Sequence, residues 1–141
     1  MGGHLYTVEF RVYSETLDPS AITKDLGLQP SQVRLQGSRR SDGRIWTGMW
    51  AYDGSAGDKK IDWNSLEEGI VFVLDQLLPH EDAIARYRPC ATLLWWCGHF
   101  QSSFDGGPRL SPSLLKRLGD FGVELFVDTY FSNEGEAEQA E

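Results

Sequence analysis

The sequence predicts an α+β domain, in which two strand–helix–strand units form a four-stranded sheet with helices packed on it. The main observation is a local pattern that occurs twice. A strand-like run, at residues 6–14 and again at 91–103, is followed by a cap residue, a proline, a serine, an apolar helical stripe and a glycine. A third apolar stripe of helical period lies between the two copies. Because right-handed crossovers would cover the apolar faces, we expect a ferredoxin-like sandwich with an extra middle helix.

The first copy begins with a clean alternation of apolar and polar residues through residues 6–14, which is typical of a half-buried strand. Asp18 then has the position of a helix N-cap, and Pro19 fits the first helical position, where its missing N–H costs nothing. Ile22 and Leu26 lie four residues apart on one helical face, and Gly27 can adopt the left-handed stop. The pattern predicts a short helix that packing must hold in place.

The middle of the chain predicts a polar loop at residues 29–44, a strand at 45–52 and the longest helix. Asn64 or Ser65 caps this helix, since a glutamate follows at capping-box spacing. An apolar stripe follows, and Pro79 is expected to break or kink the helix. A further turn or two is expected from His80 to Tyr87.

The second copy begins with residues 91–103, a strand that is apolar on both sides and is therefore expected to be central. Trp95 and Trp96 are adjacent, so one should lie under the helices and the other at a protein interface. Ser111 and Pro112 begin the last helix, Gly122 ends it, and the final strand covers residues 123–131. We expect a single domain at residues 1–131 and an acidic, disordered tail at 132–141.

The formal net charge of −8 limits the classes of partner. An acidic surface repels phosphate backbones and anionic lipid, which disfavours nucleic acid and membranes and is compatible with a basic protein. Cys90 and Cys97 are expected to be buried and too far apart on one strand to bond to each other, and two buried thiols fit a reducing cytosol. Without a signal peptide or an apolar run of transmembrane length, we expect a cytoplasmic protein.

Motifs for phosphate binding, for a serine nucleophile and for zinc are absent from the sequence, so we expect no enzyme activity, cofactor or metal site. Cys97 and His99 are the one pair to test. They lie two residues apart on one strand face, where an imidazole can activate a thiol. A buried cysteine beside a strand-end histidine is the simpler interpretation.

The loop at residues 29–44 concentrates basic residues in an otherwise acidic chain. Its guanidinium groups can bind a carboxylate or phosphate bidentately, and the tryptophans that follow can provide a stacking wall. The alternative is a solvated loop whose arginines pair with surplus carboxylates. The candidate binding residues are Arg34, Arg39, Arg40, Arg44, Trp46 and Trp50.

The ordered set of these features resembles the bacterial DUF4279 domain. The resemblance rests on residues 8–13, residues 17–28, Pro30 with the Arg/Gly loop that leads to Trp46 and Trp50, and the ending at residues 110–131. It covers about residues 7–131, nearly the whole globular part. The family is a domain of unknown function with no established catalytic residues. Small bacterial domains of this kind can occur as immunity proteins beside toxins.

Two functional hypotheses follow from the sequence. The first is a non-enzymatic interaction protein that binds a basic protein partner, such as a toxin that it neutralises; the acidic charge, the five tryptophans and the resemblance support it. The second is a sensor that binds a small anionic ligand at the loop from Arg34 to Arg44. Neither the partner nor the oligomeric state is specified by the sequence.

Overall fold

The computed structural model of the chain describes residues 3–37, 41–44, 47–55 and 59–131. It has the predicted α+β class and includes a short 3₁₀ turn at Leu78–His80. The elements are β1 (His4–Ser14), α1 (Pro19–Leu26), β2 (Gln32–Arg34), β3 (Gly48–Tyr52), α2 (Leu66–Leu77), α3 (Glu81–Ala85), β4 (Thr92–Gln101), α4 (Pro112–Phe121) and β5 (Glu124–Phe131). The tail predicted at residues 132–141 lies outside the described residues.

The strands form one mixed sheet in the order β2-β3-β1-β4-β5. The prediction of four strands is therefore wrong, and the specific ferredoxin-like arrangement proposed from the sequence is not confirmed. The additional strand, β2, lies within the segment that the sequence predicts to be a polar loop. It has three residues, of which only Val33 is apolar, so it carries no alternating pattern to reveal it.

The two predicted strand–helix–strand units are not equivalent. In the second unit, β4 and β5 are adjacent and parallel, with α4 as the crossover. In the first, β3 is antiparallel both to β1 and to β2, so β2 runs parallel to β1 with β3 between them. The strand that completes the first unit is therefore β2, whereas the sequence pattern assigned that place to residues 45–52.

The local signals of both helices are confirmed. Asp18 caps α1, where a side-chain oxygen accepts a hydrogen bond from the Ser20 backbone N–H at 3.1 Å. Ser111 caps α4 in the same way, accepting from the Leu114 N–H at 3.2 Å. Gly27 and Gly122 end the two helices with φ angles of 70° and 78°, a conformation that favours glycine.

The helices cover one face of the sheet and enclose a single apolar core. Ser65 caps α2, and the helix gives way to the 3₁₀ turn at Pro79, as predicted. The ring of Phe121 on α4 packs edge-on against Phe10, and at a tilt against Trp95, beneath it. None of the helices in the described ranges is long and apolar enough to span a membrane. The largest fully buried side chains include Trp50, Trp95, Phe10, Phe121, Ile70 and Leu74.

Candidate binding face of the sheet

No described helix packs on the other face of the central and C-terminal strands. Successive side chains of a strand point to opposite faces, so the residues that alternate with the core residues of β1, β4 and β5 share this side. We call this surface the open face. It consists of Leu5, Thr7, Glu9, Arg11, Leu94, Trp96, Gly98, Phe100, Glu124, Phe126, Asp128 and Tyr130.

Aromatic side chains dominate the β4 and β5 part of the open face. The strand register places Trp96 opposite Phe126, and Phe100 opposite Tyr130. The rings of Phe100 and Tyr130 are stacked, with centroids 5.1 Å apart. Phe100, Phe126 and Tyr130 are 39%, 46% and 45% exposed. Contiguous exposed aromatic surface of this kind is a feature of protein interaction sites.

An ion pair supports one end of this aromatic surface. Arg11 Nη2 lies 2.6 Å from Glu9 Oε1, and Arg11 Nη1 donates a hydrogen bond to the Tyr13 hydroxyl at 2.9 Å. The guanidinium lies 4.3 Å from the centre of the Trp96 ring, within the range of a cation–π interaction. Partial burial alone would lower the pKa of Arg11, but the Tyr13 hydrogen bond and the Glu9 charge outweigh it and raise the pKa. Glu9 is thus neutralised locally.

Asp128 of β5 has a neutral partner in the described part of the chain. The Tyr130 hydroxyl donates a 2.6 Å hydrogen bond to Asp128 Oδ2. This hydrogen bond is the main cause of the raised pKa of Tyr130, and burial and the charge of Asp128 add to it. Among the described residues, no basic side chain forms an ion pair with Asp128 or Glu124. The β5 side of the open face therefore combines exposed rings with negative charge.

Gly98 allows the rings to close over the middle of the open face. A Cβ atom on Gly98 would lie 2.6 Å from Thr7 Oγ1, 2.9 Å from the Phe100 ring and 3.0 Å from the Trp96 ring. Thr7 is 3% exposed, and its hydroxyl has no hydrogen-bond partner within the described parts of the chain. Trp96 and Phe100 thus cover a buried, unpaired hydroxyl.

The arginine loop is only partly described. Arg39, Arg40 and Trp46 lie outside the described residues, and Arg34 lies on β2, at the opposite edge of the sheet from β5. The exposed Arg44 side chain lies 3.5 Å from the Asp42 carboxylate. The ion pair of Arg44 is the arrangement expected of a solvated loop.

Trp50 belongs to the core and not to a surface site. It is fully buried, and its indole Nε1–H donates a hydrogen bond to Thr23 Oγ1 at 2.9 Å. The ring also stacks with Tyr52, with centroids 6.1 Å apart. Trp50 therefore presents no ring face to a ligand bound at the loop, which removes one wall of the predicted anion site.

Cys97 and His99 do not form a nucleophile–base pair. Burial raises the pKa of the Cys97 thiol to about 12, so the thiol is protonated at neutral pH. His99 Nε2 lies 2.9 Å from His4 Nδ1, and His99 Nδ1 lies 3.3 Å from Thr129 Oγ1, so neither ring nitrogen is directed to the sulfur. Within the described ranges, no group of three His, Cys, Asp or Glu side chains has a geometry that could hold a metal ion.

The sequence does not predict the open face; it predicts only that one of Trp95 and Trp96 lies away from the helices, without specifying which. Phe126 and Tyr130 were assigned to the final strand, but no contact was predicted for either ring. The available signal was spacing. Phe126 and Tyr130 are four residues apart, as are Trp96 and Phe100, and residues two or four apart on a strand point to one side. The proximity of Phe126 and Tyr130 to Trp96 depends on the pairing of β4 with β5, which the local pattern does not encode.

The family of the chain is established by comparison with family models. The model of the domain of unknown function DUF4279 matches residues 4–132. The chain belongs to this family. The match covers every strand and helix of the DUF4279 domain described above. No curated protein and no solved structure matches the chain.

Proposed function

We propose that this DUF4279 protein is a non-enzymatic, cytoplasmic binding domain that docks a basic protein partner on its open face. The observation that carries the proposal is the uncovered aromatic surface formed by Trp96, Phe100, Phe126 and Tyr130. A few residues carry most of the binding energy of a protein interface, and tryptophan and tyrosine are enriched among them; aromatic side chains also bury large areas.

Charge supports a basic partner. The aromatic surface borders on Asp128 and Glu124, whose carboxylates lack ion pairs in the described part of the molecule. The whole chain carries a net charge of −8, which disfavours a second copy and favours a partner of opposite sign. The guanidinium of Arg11 on the Trp96 ring illustrates the contact that a partner arginine would make with the neighbouring rings.

The environments of Cys97 and His99 support the proposal that the domain is not an enzyme. Cys97 is fully buried with a raised pKa, and both ring nitrogens of His99 already have partners. The Cys97 thiol is buried as expected, whereas the expectation that Cys90 is buried is wrong, because its side chain is exposed. Both thiols are free, which agrees with the reducing compartment that we propose.

The proposal has an architectural part as well. We regard the elements from β1 to β4 as a ferredoxin-like core, to which α4 and β5 are added. The order β2-β3-β1-β4, with antiparallel neighbours throughout, supports this view. The added strand supplies Phe126, Asp128 and Tyr130, so the extension would have created the acidic aromatic part of the open face.

The test compares what surface variants capture from a lysate of the native host at low salt. The variants Phe126→Ser and Phe100→Ser each remove one exposed ring of the open face, and Leu115→Ser removes an apolar side chain that is 53% exposed on α4. We expect a partner in a 1:1 complex with the wild type and with Leu115→Ser. Its affinity should fall at least tenfold with either open-face variant, and the complex should weaken with added salt.

Equal capture by all variants would show that the open face is not the docking site, and loss with Leu115→Ser alone would assign docking to the helical side. An immunity role predicts two further results. The captured partner should be toxic when it is expressed alone. Co-expression of the wild type, but not of Phe126→Ser, should relieve that toxicity. A partner that is harmless alone would contradict that role and leave the binding function intact.

A further inference from the structure

A pocket of about 420 Å³ lies on the helical side of the sheet, away from the open face. It opens between the first turns of α2 and the segment that precedes this helix. Its lining consists of Trp63, Glu67, Glu68, Val71 and Phe72. This volume is within the range of about 300–1,000 Å³ that is usual for small-molecule sites.

The backbone holds Trp63 firmly at the pocket wall. Trp63 exchanges two hydrogen bonds of 2.8 Å with Tyr6 of β1, which attaches this segment to the sheet. Its ring lies against Gly69 of α2, where a Cβ atom would come within 2.8 Å of Trp63 Cδ1. The glycine therefore allows the indole to pack directly against the helix.

Two aromatic rings form the apolar wall of the pocket. The centroids of Trp63 and Phe72 are 5.3 Å apart, with an angle of 48° between the ring planes. Phe72, on the outer side of α2, is 37% exposed. The face of an aromatic ring attracts cations, and tryptophan does so most strongly.

Two carboxylates give the pocket its charge. Glu67 accepts hydrogen bonds from the Ser111 backbone N–H at 2.6 Å and from the Ser111 hydroxyl at 2.9 Å, one on each oxygen. These donors are neutral and leave the negative charge in place. In the described part of the chain, neither Glu67 nor Glu68 forms an ion pair with a basic side chain.

We propose that this pocket binds a small organic cation with a quaternary ammonium head group. Aromatic faces beside uncompensated carboxylates attract positive charge, and the apolar wall matches the methyl groups around the nitrogen. A quaternary ammonium donates no N–H hydrogen bond, so it needs no acceptor from the two aromatic rings that form the wall. A primary amine would lose hydration at each N–H turned toward the rings, which offer no comparable acceptor.

The test is a titration of the ¹⁵N-labelled protein with choline, followed by NMR at constant ionic strength. We expect saturable shifts of the Trp63 indole N–H and of the backbone amides of residues 67–72, with no comparable shift of the Trp96 indole. The uncharged isostere 3,3-dimethylbutan-1-ol has the same shape without the charge, and n-butylamine has the charge with N–H donors. Both should bind at least fivefold more weakly than choline.

Glu68→Gln removes one charge from an exposed position and should weaken choline binding at least threefold while the fold is retained. Glu81→Gln, on exposed α3, removes the same charge elsewhere and should leave the affinity unchanged. Trp63→Leu should abolish the saturable shifts of residues 67–72. Equal binding of the uncharged isostere, stronger binding of n-butylamine, or no effect of Glu68→Gln would each overturn the proposal. Since the open face takes no part in this titration, none of these results bears on the docking of a protein there.

Discussion

Trp95 and Trp96 are neighbours in β4, yet they occupy opposite environments. Trp95 is fully buried on the helical side, with the rings of Phe10 and Phe121 around it. Trp96 lies on the open face, half-buried, with the guanidinium of Arg11 over its ring. The apolar residues on the two sides of this strand thus differ in environment: one row packs in the core, and the other stays partly exposed on the open face.

Truncation of each tryptophan provides the most direct test of this comparison and should give the largest effect. Trp95→Ala leaves a cavity in a closely packed core and should lower the free energy of unfolding by about 3–5 kcal/mol. Trp96→Ala removes a partly solvated ring and one cation–π contact and should cost about 1 kcal/mol. Urea unfolding followed by far-UV circular dichroism measures both. Equal losses would show that the open face is as important for stability as the core.

A methyl group at Gly98 should produce the next largest effect. Since the added Cβ would lie within 3.0 Å of Thr7, Phe100 and Trp96, Gly98→Ala should cost about 1–3 kcal/mol. In a Thr7→Ala background the closest contact, with Oγ1, is absent, so the same substitution should cost less. The difference between the two backgrounds is the coupling between these residues.

Gly119 on α4 provides the matched control for this experiment. A Cβ atom on Gly119 would meet nothing within 4 Å, so Gly119→Ala should stabilise the protein by up to about 1 kcal/mol through helix propensity. If Gly98→Ala were equally harmless, the rings of the open face would have to move easily, and the face would not be preformed for a partner.

These two faces also show where prediction from the sequence ends. The caps at Asp18 and Ser111 are local signals, and the structure confirms them. The alternation in β1 predicts a half-buried strand, but the strand is buried on both sides from Tyr6 to Phe10. Strand order is not local: Val8 pairs with Cys97, and nothing in either segment specifies the other. Likewise, the spacing of Trp50 and Tyr52 shows that they share a side but not that the helices cover it. The candidate site depends on such pairings, which is why the sequence predicts only that one of the two adjacent tryptophans lies away from the helices.

The smallest of these effects concerns the pH dependence of stability. It arises where His4 of β1 and His99 of β4 lie beside Asp105 in the loop after β4. The Asp105 carbonyl can only accept, so His4 Nε2–H donates to it, and His4 Nδ1 and His99 Nε2 form a second hydrogen bond through one shared proton. Burial, and then the charge of His4, lower the pKa of His99. In the unfolded chain a histidine binds its proton near pH 6.5. Between that pH and the lower folded pKa, the unfolded state therefore binds more protons.

It follows that this stabilisation is fully present above about pH 6.5 and is lost as the pH falls through the folded pKa of His99. The melting temperature of the wild type should fall between pH 7.5 and 5.5, and His99→Gln should reduce this fall by removing the titrating ring. His80→Gln removes a histidine that has no contact with His4 or His99, so its melting temperature should vary with pH as that of the wild type does. A pH dependence that persists unchanged in His99→Gln would assign the effect to other groups. In that case the His4–His99 contact would be a packing feature of the strand ends, with no part in the acid response.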